Sequence, residues 1–316
     1  MRKAFTMLEL VFVILVMGIL AKFGTNILMT TYSSFAASTT NNKILADIEL
    51  TLKQISSRLQ YRIKSSVIAT GAGGAFVGLP NATNERVIEW IGYDIDGWLG
   101  APTLPTWSGF IDVNDPGATG ALTYLETPGT NTVNVNTVIQ ALSPGVAGTG
   151  IANAAIFFTG ENSDITTHYG WNSGVALANQ GLATHRINAV AATRLGDATG
   201  ATFAGTDVYE NYKLSWTAYA ISHEDFDGDG ATYPATHPTL AGTLIRDLVL
   251  YYDYQPWEGD TYNDGNAARV LLLKNVDTFR FTSTGSTMQI QICVDEQDAL
   301  GENDGGYAVC EEKAIF

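Results

Sequence analysis

The sequence predicts an α+β protein in which a long N-terminal membrane and stem helix packs on a β-rich head of antiparallel sheet. Three patterns predict this fold. An apolar segment covers residues 5–21, apolar side chains recur every three or four positions from residue 44 to residue 63, and apolar and polar side chains alternate through residues 278–294. The first two patterns are typical of helices and the third is typical of β-strands.

The composition is that of a chain with a sizeable core. Of its 316 residues, 46% are hydrophobic and 16% are charged, and this length suits one or two domains. The formal net charge of −15 disfavours direct nucleic-acid binding, because phosphate backbones are also negative. Two cysteines are too few for a disulfide-dense scaffold or a Cys₄ zinc site.

Charge divides the chain into two unlike parts. Residues 1–66 contain eight basic and three acidic side chains, which gives a net charge of +5. The remainder contains nine basic and 29 acidic side chains, which gives −20. A basic, apolar N-terminal part therefore precedes an acidic body.

The first thirty residues are typical of a membrane-inserting segment. Arg2 and Lys3 precede the apolar run, and positive charge at this end predicts a cytoplasmic N-terminus and a translocated body. The run is short for a membrane span, but apolar residues continue to position 29. The alternative is a signal peptide that is cleaved near Ala21. The very short leader and the carboxylate of Glu9 within the run argue against cleavage there.

The order of residues at the N-terminus also matches a known pattern. A short basic leader ends in the small residue Ala4, then comes FTMLEL at positions 5–10, followed by the apolar stretch VFVILVMGILA at positions 11–21. This segment resembles the N-terminal signal of type IV pilins and type II secretion pseudopilins. The resemblance implies cleavage between Ala4 and Phe5 by a prepilin peptidase and N-methylation of Phe5. The apolar helix is then kept in the mature protein.

The resemblance also implies a role for Glu9 in assembly. By analogy, Glu9 pairs with the N-terminal ammonium of Phe5 on a neighbouring subunit, and two charges that are costly in an apolar core neutralise each other only in the correct register. The chain departs from the family at two positions. Ala4 stands where the family usually has Gly, and Asn26 stands where many pilins have Pro.

A second helical segment follows the membrane segment. Residues 30–42 are small or β-branched and have weak helix propensity. From position 44 the apolar residues lie on one helical face: Ile44, Ile48, Leu52, Ile55, Leu59 and Ile63. The opposite face carries Lys53, Arg58 and Arg62. We therefore expect a leader at 1–4, a membrane helix at 5–29, an amphipathic stem at 30–66 and a periplasmic head at 67–316.

The head is expected to be rich in β-structure. The candidate strands are residues 154–158, 212–222, 244–254, 268–276, 278–284 and 287–294. Gly285 separates the last two, which predicts a hairpin. Polar stretches such as TPGTNTVNVNT at 127–137 and SPGVAGTGIAN at 143–153 are interpreted as loops or irregular β-structure.

The two cysteines lie near the C-terminus. Cys293 is the next-to-last residue of the candidate strand at 287–294, and Cys310 follows it after 16 intervening residues. Export to an oxidising compartment favours a disulfide between them, and many pilins have such a closed C-terminal loop. A loop of this size contributes about 3 kcal/mol. The alternative is two unpaired buried thiols.

The sequence EDFDGDG at positions 224–230 has the spacing of a calcium loop. It places Asp at relative positions 1, 3 and 5 and Gly at position 6, namely Asp225, Asp227, Asp229 and Gly230. The carbonyl of Ala231 is a further candidate ligand for Ca²⁺. The EF-hand pattern has Glu at position 12, where this chain has Thr236, so a distant carboxylate is needed there. The alternative is a solvated acidic turn.

Other polar and aromatic groups carry weaker signals. The acidic residues between the cysteines lack regular ligand spacing and are interpreted as solvated charge. The aromatic residues around 251–262 either line a ligand groove or belong to the core. The sequence contains no GxSxG, HExxH, P-loop or GxGxxG signature, and its four histidines are scattered.

Together these features predict a structural role rather than an enzyme. The expected protein is a minor pilin or pseudopilin of a type IV pilus, a type II secretion system or a transformation filament. Its expected partners are other pilin subunits, the prepilin peptidase and an inner-membrane assembly platform. Its expected location is the inner membrane, spanned once. Two alternatives remain: a calcium-dependent adhesin, and a membrane-tethered enzyme, which a cleft with converging histidine and carboxylates would favour.

Overall fold

The structure, a computed structural model, has one long N-terminal helix and a head of antiparallel sheets, and is of the α+β class. The residues it describes are 7–71, 74–82, 85–100, 105–115, 122–143, 149–159, 164–172, 184–198, 202–203, 207–233, 235, 240–285, 287–295 and 308–316.

Three α-helices lie in the described part of the chain: α1 (Met7–Gln60), α2 (Ile95–Leu99) and α3 (Thr132–Leu142). The first strands in chain order are β1 (Ile68–Thr70), β2 (Phe76–Gly78), β3 (Val87–Gly92), β4 (Leu125–Glu126), β5 (Ala155–Phe158), β6 (Thr184–Ala191) and β7 (Arg194–Asp197). The later ones are β8 (Tyr212–Ser215), β9 (Thr217–Glu224), β10 (Asp247–Tyr254), β11 (Ala268–Leu273), β12 (Val276–Thr284), β13 (Thr287–Asp295) and β14 (Ala308–Ile315).

Helix α1 runs without interruption through the membrane and stem segments. Its 54 residues correspond to a rod about 80 Å long. The weak region between the two segments is helical, and its hydroxyl groups bond back to the preceding turn: Thr30 Oγ1 donates to the Asn26 carbonyl and Thr39 Oγ1 to the Phe35 carbonyl. These bonds satisfy the hydroxyls inside the helix.

The helix ends at Gln60, six residues before the boundary that its pattern predicts. Ile63 is buried but has an extended backbone. Arg62, which the pattern assigns to the exposed face, is only 3% exposed, because it lies beyond the helix end and donates from its guanidinium to the Leu59 carbonyl at 2.7 Å.

Two sheets lie against the second half of α1. The six-stranded sheet has the order β11-β10-β9-β3-β1-β2, and the three-stranded sheet has the order β12-β13-β14. One hydrophobic cluster contains the α1 residues Ile44, Ile48, Leu52, Ile55 and Leu59. The same cluster includes Trp90 and Leu250 of the larger sheet, and Ile290 and Val309 of the smaller one.

The six-stranded sheet is covered on both faces. In β3, Ile88 and Trp90 belong to the cluster that contains α1, whereas Val87 and Ile91 belong to a second cluster on the opposite face. The alternation follows from the two-residue period of a strand. Glu89 therefore points into the second, buried face.

The five-stranded sheet has the order β4-β7-β6-β5-β8 and its own core with α3. The predicted strand at 212–222 is divided at Trp216, so that β8 joins this sheet and β9 joins the six-stranded one.

The predicted loop at 127–137 is wrong in its second half, because α3 begins at Thr132. The side chain of Asn131 caps this helix by accepting from the amides of Val133 and Asn134, both at 3.1 Å. Val135 and Ile139, four positions apart, are buried in the core.

The predicted hairpin at Gly285 is confirmed. Strands β12 and β13 pair antiparallel on either side of it, and Gly285 adopts φ of +62°, a left-handed conformation that glycine tolerates.

Candidate functional site

The acidic loop directly follows β9. One carboxylate oxygen each from Asp225, Asp227 and Asp229 lies within 4.8 Å of the others. Ligand oxygens lie 2.3–2.6 Å from a Ca²⁺ ion, so two ligands of one ion are at most about 5 Å apart. The three carboxylates are therefore close enough to share one cation.

Backbone amides hold this loop in its turn. Asp225 Oδ1 accepts from the Gly228 amide and Oδ2 from the Gly230 amide, both at 2.9 Å. These bonds, with the Gly230 amide first, lower the pKa of Asp225 below its ordinary value. Gly228 and Gly230 have φ of +70° and +69°, a region that favours glycine. The turn is thus set by the Asp and Gly spacing itself.

The other two positions of the calcium pattern are Ala231 and Thr236. The Ala231 carbonyl accepts a hydrogen bond from the Ile245 amide at 2.9 Å, so part of its acceptor capacity is used within the chain. Thr236 lies outside the described residues. Asp247 of β10 is a nearby buried carboxyl, and its pKa is raised mainly by burial and in part by the charge of Asp227. Sequence spacing gave no indication of Asp247.

The structure pairs Cys293 with Cys310 in a disulfide, as the sequence predicts. The two residues are directly opposite each other in the antiparallel pair β13–β14. The covalent bond therefore links the last strand to the middle of the three-stranded sheet. Of the acidic residues between the cysteines, Asp295 is buried at the end of β13, whereas Glu296, Asp298, Glu302 and Asp304 lie outside the described residues.

The N-terminal part of α1 is long and apolar enough to cross a membrane. Its large apolar side chains from Met7 to Phe35 are exposed. Glu9 lies in the first turn of the helix. Ala4 and Phe5, the predicted cleavage and methylation positions, lie outside the described residues.

A cavity of about 330 Å³ opens on the second face of the six-stranded sheet. Its floor is formed by Glu89 of β3 and Ser222 and Glu224 of β9, and its far wall by the loop at 260–263. His223 also lines it. Sequence analysis did not single out Glu89, although a carboxylate inside the apolar run VIEWI is itself a signal of a buried acid.

Glu89 is only 5% exposed, and its carboxyl is held by two hydroxyl groups. Thr70 Oγ1 donates to Oε1 at 2.7 Å, and the Tyr254 hydroxyl donates to Oε2 at 3.0 Å. No ion pair of Glu89 is found within the part of the chain that the structure describes. Burial therefore raises the pKa of Glu89 to about 7.

His223 takes part in the structure of the sheet rather than standing free. Its Nε2 donates to the Val276 carbonyl at 2.8 Å, and burial lowers its pKa. Ser222 and Glu224 point to the face of the sheet that carries the cavity, whereas the His223 ring lies on the opposite face, where it bonds Val276 of the cluster that contains α1. The imidazole therefore does not converge with these carboxylates.

The aromatic residues around 251–262 are mostly core. Tyr254 and Trp257 are fully buried, and Tyr251 is buried with its hydroxyl bonded to Glu224. Tyr262 is half-buried and is the one of this group that lines the cavity.

No protein-family model, no curated protein and no solved structure matches this chain.

Proposed function

We propose that this chain is a minor pilin or pseudopilin, a structural subunit that assembles into a filament through its N-terminal helix. One observation carries the proposal. An exposed apolar helix, with the carboxylate of Glu9 in its first turn, is continuous with a stem whose apolar face is buried. The N-terminal residues that resemble the prepilin signal support the same role.

The exposed half of α1 has two environments that suit it. Apolar side chains from Met7 to Phe35 are stable in a lipid bilayer or against other apolar helices, but not in water. A carboxylate within this segment is costly in hydrocarbon unless a cation neutralises it. In a filament, the N-terminal ammonium of Phe5 on a neighbouring subunit supplies that cation to Glu9, and the pairing sets the register of the subunits.

The proposal includes the route of the chain. A prepilin peptidase cleaves after Ala4, and Phe5 is then methylated. The mature subunit resides in the inner membrane with its head in the periplasm. An assembly platform then transfers it to a type IV pilus, a type II secretion pseudopilus or a transformation filament. The acidic head, at −20, does not bind DNA directly in this scheme.

In this proposal, the packing of α1 on the head transmits force from the stem. Because the cluster around Ile48 and Ile55 joins the helix to two sheets, a force on the stem is transmitted to the head. The subunit then enters the filament as one rigid unit.

The test is the mature N-terminus and the behaviour of Glu9→Leu in the native cell. We expect mass spectrometry to find a mature chain that begins at N-methylated Phe5. We expect Glu9→Leu to insert in the membrane but to be absent from sheared or cross-linked filaments. Glu49→Leu is the matched control, since it removes an exposed acid from the same helix outside the apolar segment. A mature chain that starts after Ala21, or normal assembly of Glu9→Leu, contradicts the proposal.

A second candidate function is calcium binding by the head, which would suit a calcium-dependent adhesin. The convergence of the Asp225, Asp227 and Asp229 oxygens supports it. Terbium luminescence and calorimetry on the full chain test it, with Asp227→Asn compared to the exposed Asp207→Asn. Saturable binding that only Asp227→Asn removes supports a calcium site, and equal behaviour of both variants and the parent excludes it.

A further inference from the structure

We infer that the cavity above Glu89 binds a neutral, hydroxyl-rich ligand of the carbohydrate class. This site goes beyond the structural role proposed above, because assembly through α1 does not use it. The inference depends on the shape of the cavity, on the mixture of groups that line it and on the charges that surround it.

The six-stranded sheet and one loop enclose the cavity. The sheet forms the floor and, through Thr70 of β1 and Phe76 of the edge strand β2, one side, and the loop at 260–263 forms the other side. The loop is well tied, since Asp264 accepts from the Thr261 and Asn266 amides at 2.7 and 2.8 Å. At about 330 Å³, the space is at the lower end of the range of small-molecule sites.

The floor carries a buried carboxyl group whose pKa of about 7 leaves about half of it protonated at pH 7. Glu89 has no cationic partner in the described part of the chain, and its carboxyl accepts hydrogen bonds from the hydroxyl groups of Thr70 and Tyr254. In its protonated form such a group can donate one hydrogen bond and still accept others. A ligand hydroxyl also donates one hydrogen bond and accepts others, so the two groups can bond to each other in either direction.

Planar polar groups surround this floor. Glu224 accepts from Ser222 Oγ at 2.5 Å and also from the Tyr251 hydroxyl, which fixes the direction of its carboxylate. Asp260 and Asn263 face the cavity from the loop. Carboxylate and amide oxygens accept hydrogen bonds from ligand hydroxyls in defined directions.

Aromatic rings complete the walls. Trp171 lines the cavity, and its indole nitrogen donates to the Ser66 carbonyl at 3.0 Å, which holds the ring in place. Tyr262 lines it from the loop and packs edge-on against Tyr251. Such rings offer apolar faces to the C–H groups of a sugar ring, next to polar groups for its hydroxyls.

The charges favour a neutral ligand. Glu224 and Asp260 repel anions. Both carboxylates also accept hydrogen bonds from the chain itself, Glu224 from Ser222 and Tyr251, and Asp260 from the Gln255 amide at 3.2 Å and Asn266 Nδ2 at 3.1 Å, so neither depends on a bound cation. A neutral molecule with many hydroxyl groups fits these conditions.

The experiment is ligand-observed NMR and calorimetry on the full chain. The protein is kept in a polyethylene-oxide detergent, because a glycoside detergent would itself compete for the site. The probes are glucose, galactose, mannose and N-acetylglucosamine, and the charge controls are inorganic phosphate and n-butylamine. We expect at least one sugar to bind saturably and both charged probes to bind more weakly.

Three variants locate the binding. Glu89→Gln keeps a neutral planar group and should retain binding, whereas Glu89→Leu and Tyr262→Ala should each weaken it by about tenfold or more, which corresponds to about 1.4 kcal/mol. Tyr262 is at the rim, so this variant tests the site even where Glu89→Leu disturbs folding. Glu210→Leu, an exposed change on another part of the head, is the control. No binding of any of the four sugars, binding that Tyr262→Ala leaves unchanged, or tighter binding of phosphate or butylamine overturns the inference.

Discussion

The Tyr254 hydroxyl donates to Glu89 Oε2 at 3.0 Å, although the two residues belong to strands β10 and β3, which β9 separates. Both side chains are buried on the same face of the six-stranded sheet. The carboxyl is thus anchored to two strands at once, in a place where its ionised form is poorly solvated. This relationship couples the titration of Glu89 to the stability of the folded head.

The free energy of unfolding should decrease with rising pH because of Glu89. Its pKa is about 7 in the folded state and about 4.5 when unperturbed. The stabilisation is complete below about pH 4.5, where both states are protonated, and is lost as pH rises through about 7, because the unfolded chain releases the proton first. The difference amounts to about 3 kcal/mol.

Glu89→Gln tests this contribution, since glutamine keeps the shape of the side chain but does not titrate. Relative to the parent, we expect the variant to gain stability between pH 5 and pH 8, measured by denaturant unfolding at each pH. Glu210→Gln, at an exposed position, is the control. Parallel pH profiles of parent and Glu89→Gln would show that the buried carboxyl is not a determinant of stability.

The disulfide should stabilise the C-terminal sheet. Replacing both Cys293 and Cys310 by Ser opens a loop with a sequence separation of 17 and should cost about 3 kcal/mol, mainly by raising the entropy of the unfolded chain. Unfolding with and without a reductant measures the effect. A reductant should have no effect on the double variant, and a parent that is equally stable when reduced would contradict this prediction.

The N-cap of α3 should matter despite its polar sequence. Asn131→Ala removes the acceptor for the Val133 and Asn134 amides and should cost about 1 kcal/mol. Asn131→Ser keeps a capping oxygen and should be close to the parent. Thermal unfolding of both variants and the parent measures this difference. Equal unfolding midpoints for Asn131→Ala and Asn131→Ser would show that the cap contributes little to stability.

The parts of the fold that the sequence predicts well are those with a clear period. The five residues from Ile44 to Leu59 recur every three or four positions and are all buried, and the alternation on either side of Gly285 marks a true hairpin. The position of Cys310 opposite Cys293 agrees with a pairing that rested on compartment and resemblance.

Other parts depend on contacts that are distant in sequence. The sequence did not predict helix α3, because its Asn and Thr residues lower the helix propensity. The features that indicate this helix are the cap at Asn131 and the four-residue spacing of Val135 and Ile139. The division at Trp216 results from the chain passing from one sheet to another, which no local pattern shows. Glu89 became part of a candidate site only when the loop at 260–263 was seen to lie above it.

The contact between α1 and the head should be a major source of stability, and Ile48 is the residue to test it. Its side chain is fully buried in the cluster shared by the helix and two sheets. Ile48→Ala leaves a cavity there and should cost about 2–5 kcal/mol. Leu50→Ala, on the exposed side of the same helix, makes a comparable change without a cavity and should cost far less, because Leu50 is 56% exposed. Denaturant unfolding of the full chain in micelles measures both. Should the two variants unfold at the same denaturant concentration, the helix would contribute little to the stability of the head, and the rigid stem in the proposed filament would lose its physical basis.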